Sequence, residues 1–330
     1  MQIQFPKGPN FYEVFFLKFH LLEEEKAIWL RFTLHQSTQF PAHADLWTMV
    51  ADAGDPLLNL GHRISLPLSQ ASLSSKKDSA FYFKIGSALL EEEASEGEVT
   101  EPHLQLKWKI QFHSLLGPKP LYPYGWMYSG PIPKTKYLIE KPFLQVSGEI
   151  ELNGKKYEFQ NAPGELAHIW GKQHALGWSW FHGNTFKGDE TAVAEGLIAQ
   201  AAVGPFKAPP LAVFYLHIDG KDYFMNSARL WLKSNTRRSL EGWVFDVNDG
   251  KDRFTGSIYN PPQQCLGVRY TDPDTSHRYC HHNPWASMDL EHLVLKNGKW
   301  QTAHKLESRA LSYEWVDLEP DSRVKMQVLG

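Results

Sequence analysis

Cysteine is scarce in this chain of 330 residues, which carries only Cys265 and Cys280. Two cysteines without CxxC spacing build neither a disulfide framework nor a cysteine metal site. A reducing compartment is the natural setting, with a single bridge between the two left open. Charge of one sign is lacking as well: Lys and Arg number 34 against 37 Asp and Glu, for a formal charge of −3. That excludes the basic footprint of a nucleic-acid binder and a polybasic run for an anionic membrane. The opening MQIQFPKGPNF has no basic region leading into an apolar run, so no signal peptide is expected. No stretch approaches the roughly 20 apolar residues that cross a bilayer. The expectation is a cytoplasmic protein without a membrane span. GxSxG, a phosphate-binding glycine loop and a dinucleotide fingerprint are missing, and no cofactor is expected. Helical periodicity is weak too: only short pieces near 69–76 and 225–230 invite a helix.

What is present is β-pattern with many aromatics. The apolar share of 42% and the aromatic share of 13% suffice for substantial cores. FYEVFFLKFHL and AIWLRFTLHQ read as a hairpin about Glu23–Lys26. Centred there, Glu13, Phe15, Leu17 and Phe19 would share a face with Trp29, Arg31, Thr33 and His35. Further strands are expected at 44–51, 59–68, 79–86 and 103–113. The acidic run from Glu91 to Glu101 reads as a solvated loop. Leu116–Pro142, rich in proline and aromatics, reads as a stiff brace or a lid. Asn153-Gly154, Asp219-Gly220, Asp249-Gly250 and Asn297-Gly298 mark hairpin turns. The landmarks repeat. An aromatic hairpin opens each half (Phe11–Gln36 and Trp178–Gln200), and an Asn-Gly-Lys hairpin closes each, at 153–155 and 297–299. The expectation is two β-domains of about 150 residues, 1–163 and 164–330, closed as barrels or packed as sandwiches.

The densest stretch is GELAHIWGKQHALGWSWFHGNTF, Gly164–Phe186. Strand alternation sets Trp178, Trp180, His182, Asn184 and Phe186 on one face, with Ser179 and Phe181 on the other. Indoles, an imidazole and an amide together are apolar in bulk with polar tips, which suits a cavity wall. Proton-initiated chemistry on an alkene needs a proton donor in a dry pocket and aromatic faces for positive charge. Trp170, Trp178 and Trp180 are candidate faces; His168, His174, His182, Glu13 and Glu195 are candidate donors. A pericyclic reaction would need only a shaped cavity and a donor such as Trp170 or Asn184. Metal is not expected, because His168, His174, His182, His281 and His282 lack any metal-ligand spacing.

His168-Ile-Trp170-Gly171, His174 and the strand to Asn184 and Phe186 resemble the lipocalin-like superfamily of carotenoid hydratases, tocopherol cyclases and attachment-related proteins. The first hairpin with Glu13 and Arg31, YTDPDTSHRYCHHNPWASM and Leu311–Val316 extend the likeness over most of the chain. The resemblance implies an all-β chain of two tandem lipocalin-like antiparallel barrels, or barrel-like sandwiches. It also implies a small hydrophobic ligand, isoprenoid-, lipid- or polyketide-like, in or between them. Its hydratases carry an acid just before the motif's His, where this chain has Ala167. Three functions stay open: a cofactor-free cyclase, hydratase or isomerase acting through His168, His174 or Glu195; a carrier; or a partner-binding protein with a vestigial pocket. For the first two, Glu13, Arg31, Trp170, Trp178, Trp180, His182 and Asn184 would meet the ligand. A buried acid against the aromatic wall would favour catalysis over carriage.

Overall fold

The computed structural model describes residues 1–74, 80–203, 206–227 and 235–330. Residues 75–76 and 228–230 of the two helical expectations, and residue 79 of an expected strand, lie outside that range. The described part of the first helical piece is a single turn, Leu68–Gln70, followed by strand, and the second begins at a strand end, Met225. Nearly all regular structure is strand.

Strands β1 (Phe11–Leu21), β2 (Lys26–Gln36), β3 (His43–Asp52), β4 (Leu60–Pro67), β5 (Ala71–Ser74), β6 (Tyr82–Ile85), β7 (Ala88–Glu91), β8 (Ala94–Glu101), β9 (Leu104–Ser114), β10 (Lys119–Pro120), β11 (Thr135–Leu152) and β12 (Lys155–Gly171) form one sheet. Its order is β4-β3-β2-β1-β12-β11-β9-β8-β7-β6-β5, with β10 beside β11. The sheet curls nearly closed around Phe15, Phe19, Phe32, Phe83 and Trp108. Apart from the bend at Glu92-Glu93, the acidic stretch is strand, not loop. Its glutamates alternate with the buried Ser95 and Val99, and Glu96 and Glu98 stand opposite Lys109 and Lys107. Opposite charges across a ladder favour pairing. The short helix α1 (Trp126–Ser129) sits in the irregular segment between β10 and β11.

The second sheet holds β13 (Gly177–Gly183), β14 (Val193–Gln200), β17 (Leu211–Ile218), β18 (Lys221–Met225), β19 (Asn235–Ser239), β20 (Gly242–Asn248), β21 (Asp252–Tyr259), β22 (Leu266–Thr271), β23 (His277–Lys296), β24 (Lys299–Asp317) and β25 (Met326–Leu329). The two-residue strands β15 (Ala202–Val203) and β16 (Phe206–Lys207) pair with each other. The main order, β18-β17-β14-β13-β24-β23-β21-β20-β19, repeats that of the first sheet. In each, the first strand pairs with the second and with the last long strand: β1 with β2 and β12, β13 with β14 and β24. The four Asn-Gly and Asp-Gly turns stand where expected, with Asn153-Gly154, Asp219-Gly220 and Asn297-Gly298 all at positive φ. The sheets change hands between Gly171 and Gly177; the expected partition at 163/164 falls inside β12.

The first hairpin corrects one expectation. Leu21 pairs with Lys26 around a four-residue tip, so Glu13 opposes Leu34 and Phe15 opposes Phe32. An even tip pairs odd with even positions, and one residue of register exchanges the faces. Glu13 therefore points into the first barrel, whereas Trp29, Arg31, Thr33 and His35 point out of it. All eleven residues of β1 are buried. The inward face packs in the first barrel; the outward residues Tyr12, Val14 and Phe16 pack against Trp180, Val213 and Tyr270 of the second.

The long strands β11 and β23 bend at irregular register near Pro142 and Pro284. A proline lacks the N–H of a regular ladder, so a bulge is where a sheet interior tolerates it. Each bend frees a carbonyl toward the other barrel. His20 of β1 donates from Nε2 to the Pro284 carbonyl at 2.8 Å, and His182 of β13 donates to the Pro142 carbonyl at 2.9 Å. The two bonds are the same contact exchanged between the barrels.

On β13, Ser179 and Phe181 face the second barrel's interior, where Phe181 stacks on Phe245 at 5.8 Å and meets Trp243 edge-on at 5.5 Å. We expect Phe181→Ala to cost about 3–5 kcal/mol of stability in urea unfolding. A cost under about 1 kcal/mol would mean that the second core is not packed on this ring.

Candidate functional site

The opposite face of β13 builds a cavity. Trp178 and Trp180 lean across the junction toward Phe16 of β1 and Trp29 of β2, and Leu197 of β14, Val213 of β17 and Tyr270 of β22 complete an apolar lining. The free space is about 150 Å³, the size of a dry cavity that accepts a benzene-sized ring. Pro133, the exposed Lys134 and Gln173 stand at its rim. The segment expected as brace or lid thus supplies Tyr122 and the rim to this cavity. Few polar groups interrupt the lining: Arg31, Thr135, Tyr137, His174 and Glu314.

Beneath Trp180 lies a buried acid pair. Glu195 on β14 stands opposite His182 and is fully buried. Its Oε1 accepts from Trp180 Nε1 at 2.9 Å and from the Tyr137 hydroxyl, while Oε2 has no hydrogen-bond partner among the described residues. Glu165 of β12 lies 3.3 Å from the same hydroxyl and 3.6 Å from Lys18 Nζ. Burial, then repulsion from Glu165, pushes the Glu195 carboxyl well above the usual carboxylate range. Burial also raises Glu165, and Lys18 pulls it back, to about 7. One ammonium cannot balance two carboxylates in a dry site, so Glu195 is the one that keeps its proton. Tyr137 and Trp180 each touch both this acid and the cavity.

At another part of the wall, the buried Arg31 guanidinium lies over Tyr270 at 4.3 Å and Trp47 at 5.4 Å. Its only hydrogen bond among the described residues is a 3.3 Å contact to Thr33, with no carboxylate within 4.0 Å. His174 is stacked between Tyr12 and Trp178, and its Nδ1 is held 2.5 Å from Asp272. Asp272 stays below the usual carboxylate range: burial opposes its ionisation, but His174 outweighs it. Glu314 accepts from Trp178 Nε1 at 3.3 Å and lies 3.2 Å from His282 Nδ1. Burial works against its charge, yet His282, Trp178 and Arg31 hold it ionised.

Of the residues expected to form the site, the cavity gathers Arg31, His174, Trp178 and Trp180, with Glu195 behind it. The others lie elsewhere. His168 points into the first barrel, stacked on Phe15 at 4.0 Å and clamped between Glu13 at 2.7 Å and Glu140 at 3.3 Å. Burial disfavours its charge, but the two carboxylates raise its pKa above the ordinary value. Glu13 also accepts the backbone N–H of Gln4 and Phe5, and Trp170 packs on His168 at 4.4 Å, so all three are barrel core. His182 is the inter-barrel bond described above. Burial, then Lys18, holds it neutral, and Lys18 Nζ donates to its Nδ1 at 2.8 Å. Asn184 ties its amide to the Gly164 carbonyl at 2.8 Å. Strand alternation explains the split: on β12, Glu165, Ala167 and Ile169 face the junction, and Leu166, His168 and Trp170 face the barrel. The acid absent at Ala167 is present at Glu165, one pleat away on the same face. Lys18, Tyr137, Tyr270 and Glu314 went unread. Lys18 had a signal, since a lysine inside an otherwise apolar strand needs a buried partner. Cys265 and Cys280 are buried free thiols.

The raised acids make stability depend on pH. Between the unfolded carboxyl value and the folded one, the native chain binds more protons than the unfolded chain, so stability falls as pH rises from about 5 through about 7. Glu195→Gln preserves shape but cannot ionise. Its urea midpoint should fall less between about pH 5.5 and about pH 8 than that of the wild type. An equal fall would place Glu195 among ordinary ionised carboxylates.

A tocopherol cyclase-like family model matches residues 125–245. An uncharacterized protein of Mycobacterium tuberculosis, found in two strains, is 24% identical over 194 residues. That match covers 59% of this chain and 58% of the relative, so the chain spans little more than half the length of the curated relatives it matches. The crystal structure of an AttH protein from Nitrosomonas europaea superposes at TM-score 0.51 and 12% identity, over 96% of this chain and 97% of that one. The crystal structure of CghA superposes at TM-score 0.52 and 9% identity, over 94% and 88%. Among the described residues no helix is long and apolar enough to cross a membrane. These matches agree with the resemblance read from the sequence: residues 125–245 are similar to the tocopherol cyclase-like family model, and the chain as a whole shares the two-barrel β fold of the AttH and CghA structures.

Proposed function

We propose that the chain binds a small hydrophobic molecule, isoprenoid-, lipid- or polyketide-like, in the inter-barrel cavity and acts on it as a cofactor-free cyclase, hydratase or isomerase. The observation that carries this reading is Glu195: a buried carboxyl pushed toward its protonated form and hydrogen-bonded to Trp180 and Tyr137, two walls of the cavity. A carrier needs an apolar lining and has no use for a costly buried acid. The tocopherol cyclase-like match includes Tyr137, Glu165, Trp180 and Glu195.

The chemistry follows from the wiring. Tyr137 gives its hydroxyl proton to an electron-rich carbon of the substrate and takes the Glu195 proton in its place, leaving Glu195 ionised near Lys18. The faces of Trp178, Trp180 and Trp29 stabilise the resulting cation. Attack by a hydroxyl of the substrate closes a ring, and attack by water hydrates; either releases a proton that returns through Tyr137 to Glu195. Arg31, with its unspent donors on the wall, holds an oxygen of the substrate.

A terpenoid and fatty-acid panel followed by tryptophan fluorescence, with product analysis by mass spectrometry, tests this reading. Trp178→Ala, at a half-buried wall position, should weaken binding about 10–100-fold, the worth of one buried aromatic face, with little loss of stability. Glu195→Gln should still bind but lose about 100-fold or more of the turnover. Turnover that survives Glu195→Gln would sink the acid's role. Binding without any turnover in the wild type would make the protein a carrier.

A further inference from the structure

Away from the cavity, the outward face of the first barrel holds His35, His43 and Asp45 at the edge of β2 and β3. His35 and His43 are directly paired across the ladder, and Asp45 follows one pleat along β3. Asp45 is fully buried. Its Oδ1 accepts from Arg63 at 3.2 Å, while Oδ2 has no hydrogen bond among the described residues. Facing Oδ2 are His43 Nε2 at 3.6 Å and His35 Nε2 at 3.7 Å, too far to hydrogen-bond. A buried carboxylate oxygen left without a donor is costly.

Those spacings have another use. Ligands about 2.0–2.1 Å from a tetrahedral ion lie roughly 3.3–3.4 Å apart, a few tenths of an ångström inside the separations seen. His43 Nδ1 donates to the Pro41 carbonyl at 3.1 Å, which leaves Nε2, 3.6 Å from Asp45 Oδ2, as the ring nitrogen able to act as a ligand. Arg63 occupies the other oxygen of Asp45, the orienting contact that metal-bound carboxylates usually have. A groove of about 490 Å³, with Thr271 and His277 across it, leaves room for water or a further ligand.

We propose that His35, His43 and Asp45 bind a divalent first-row metal ion of the zinc class, with an open position toward this groove. Two imidazoles and one carboxylate are a donor set that suits zinc and its neighbours. The buried trio Glu165, His182 and Glu195 is similarly close-set, but there Lys18 Nζ already fills the position of the cation at His182. Thr33, Arg31 and Trp47 share the face with the proposed site, whereas none of its three ligands lines the cavity.

Full-length protein stripped with a chelator and titrated with zinc, then cobalt, tests the site. One equivalent should bind, with the visible absorption of tetrahedral cobalt. Binding should vanish in His43→Gln, which alters a half-buried strand end, weaken about 10–100-fold in Arg63→Gln, and persist in His174→Gln. On the wild type, zinc should shift the imidazole nitrogen resonances of two histidines, which keeps the test independent of whether a variant folds. Failure to bind one equivalent, retention in a folded His43→Gln, or unmoved imidazole resonances would overturn the site and leave Asp45 as an ion-pair partner of Arg63.

Discussion

A strand with both faces buried can keep a charged or polar side chain only if something on the far side answers it, and β1 carries Glu13, Lys18 and the neutral His20. The answers come from different places. Glu13 is met inside its own barrel by His168 and by two backbone amides. Lys18 and His20 are met by the other half of the chain, through His182 and the Pro284 carbonyl. The junction is therefore specified by hydrogen bonds as well as by its aromatic packing. Lys18 also has Glu165 of its own barrel at 3.6 Å, but its hydrogen bond to His182 and that of His20 to Pro284 cross the interface, and buried bonds of that kind penalise any displacement of one barrel against the other.

The cavity is a by-product of the same arrangement. Two sheets meet along β1 and β13, and indoles from both, Trp29 on one side and Trp178 and Trp180 on the other, line the space between them. Behind Trp180, Glu165, Glu195, Lys18 and His182 come together. Acidity, apolar walls and exclusion of water are then one property: the packing that dries the space also raises the carboxyls.

Much of this was legible in the sequence where local rules apply. Asn-Gly and Asp-Gly turns, alternation along β13 as far as His182 and the repeated landmarks of the two halves gave strands, turns and duplication correctly, whereas Phe186, beyond the strand's end at Gly183, packs with Phe181 in the second core and not on the face of Trp178 and Trp180. Faces were harder. A single residue of tip length reversed the outlook of Glu13 and Arg31, and no pattern within the hairpin records it. The acidic stretch from Glu91 to Glu101 was read as loop because its lysine partners lie a strand away. His168 and Trp170, which look like site residues beside Trp178 and Trp180, sit on the far side of β12. Tyr137 and Glu195, 58 residues apart, meet only because β11 and β14 belong to sheets that pack face to face, a fact that tertiary structure alone supplies.

His20 and His182 hold corresponding places in the two first strands, yet the residues two positions earlier differ: Lys18 in one, Trp180 in the other. In a pair of identical subunits both positions would have to be the same, and a cation could not sit beside an indole across the axis without a second cation and a second indole doing likewise. Fusion into one chain lifts that symmetry requirement. One half contributes the ammonium of Lys18 with Trp29, Tyr137 and Glu165, and the other contributes Trp178, Trp180 and Glu195. A pocket so assembled has a single polarity, and its completeness does not depend on protein concentration.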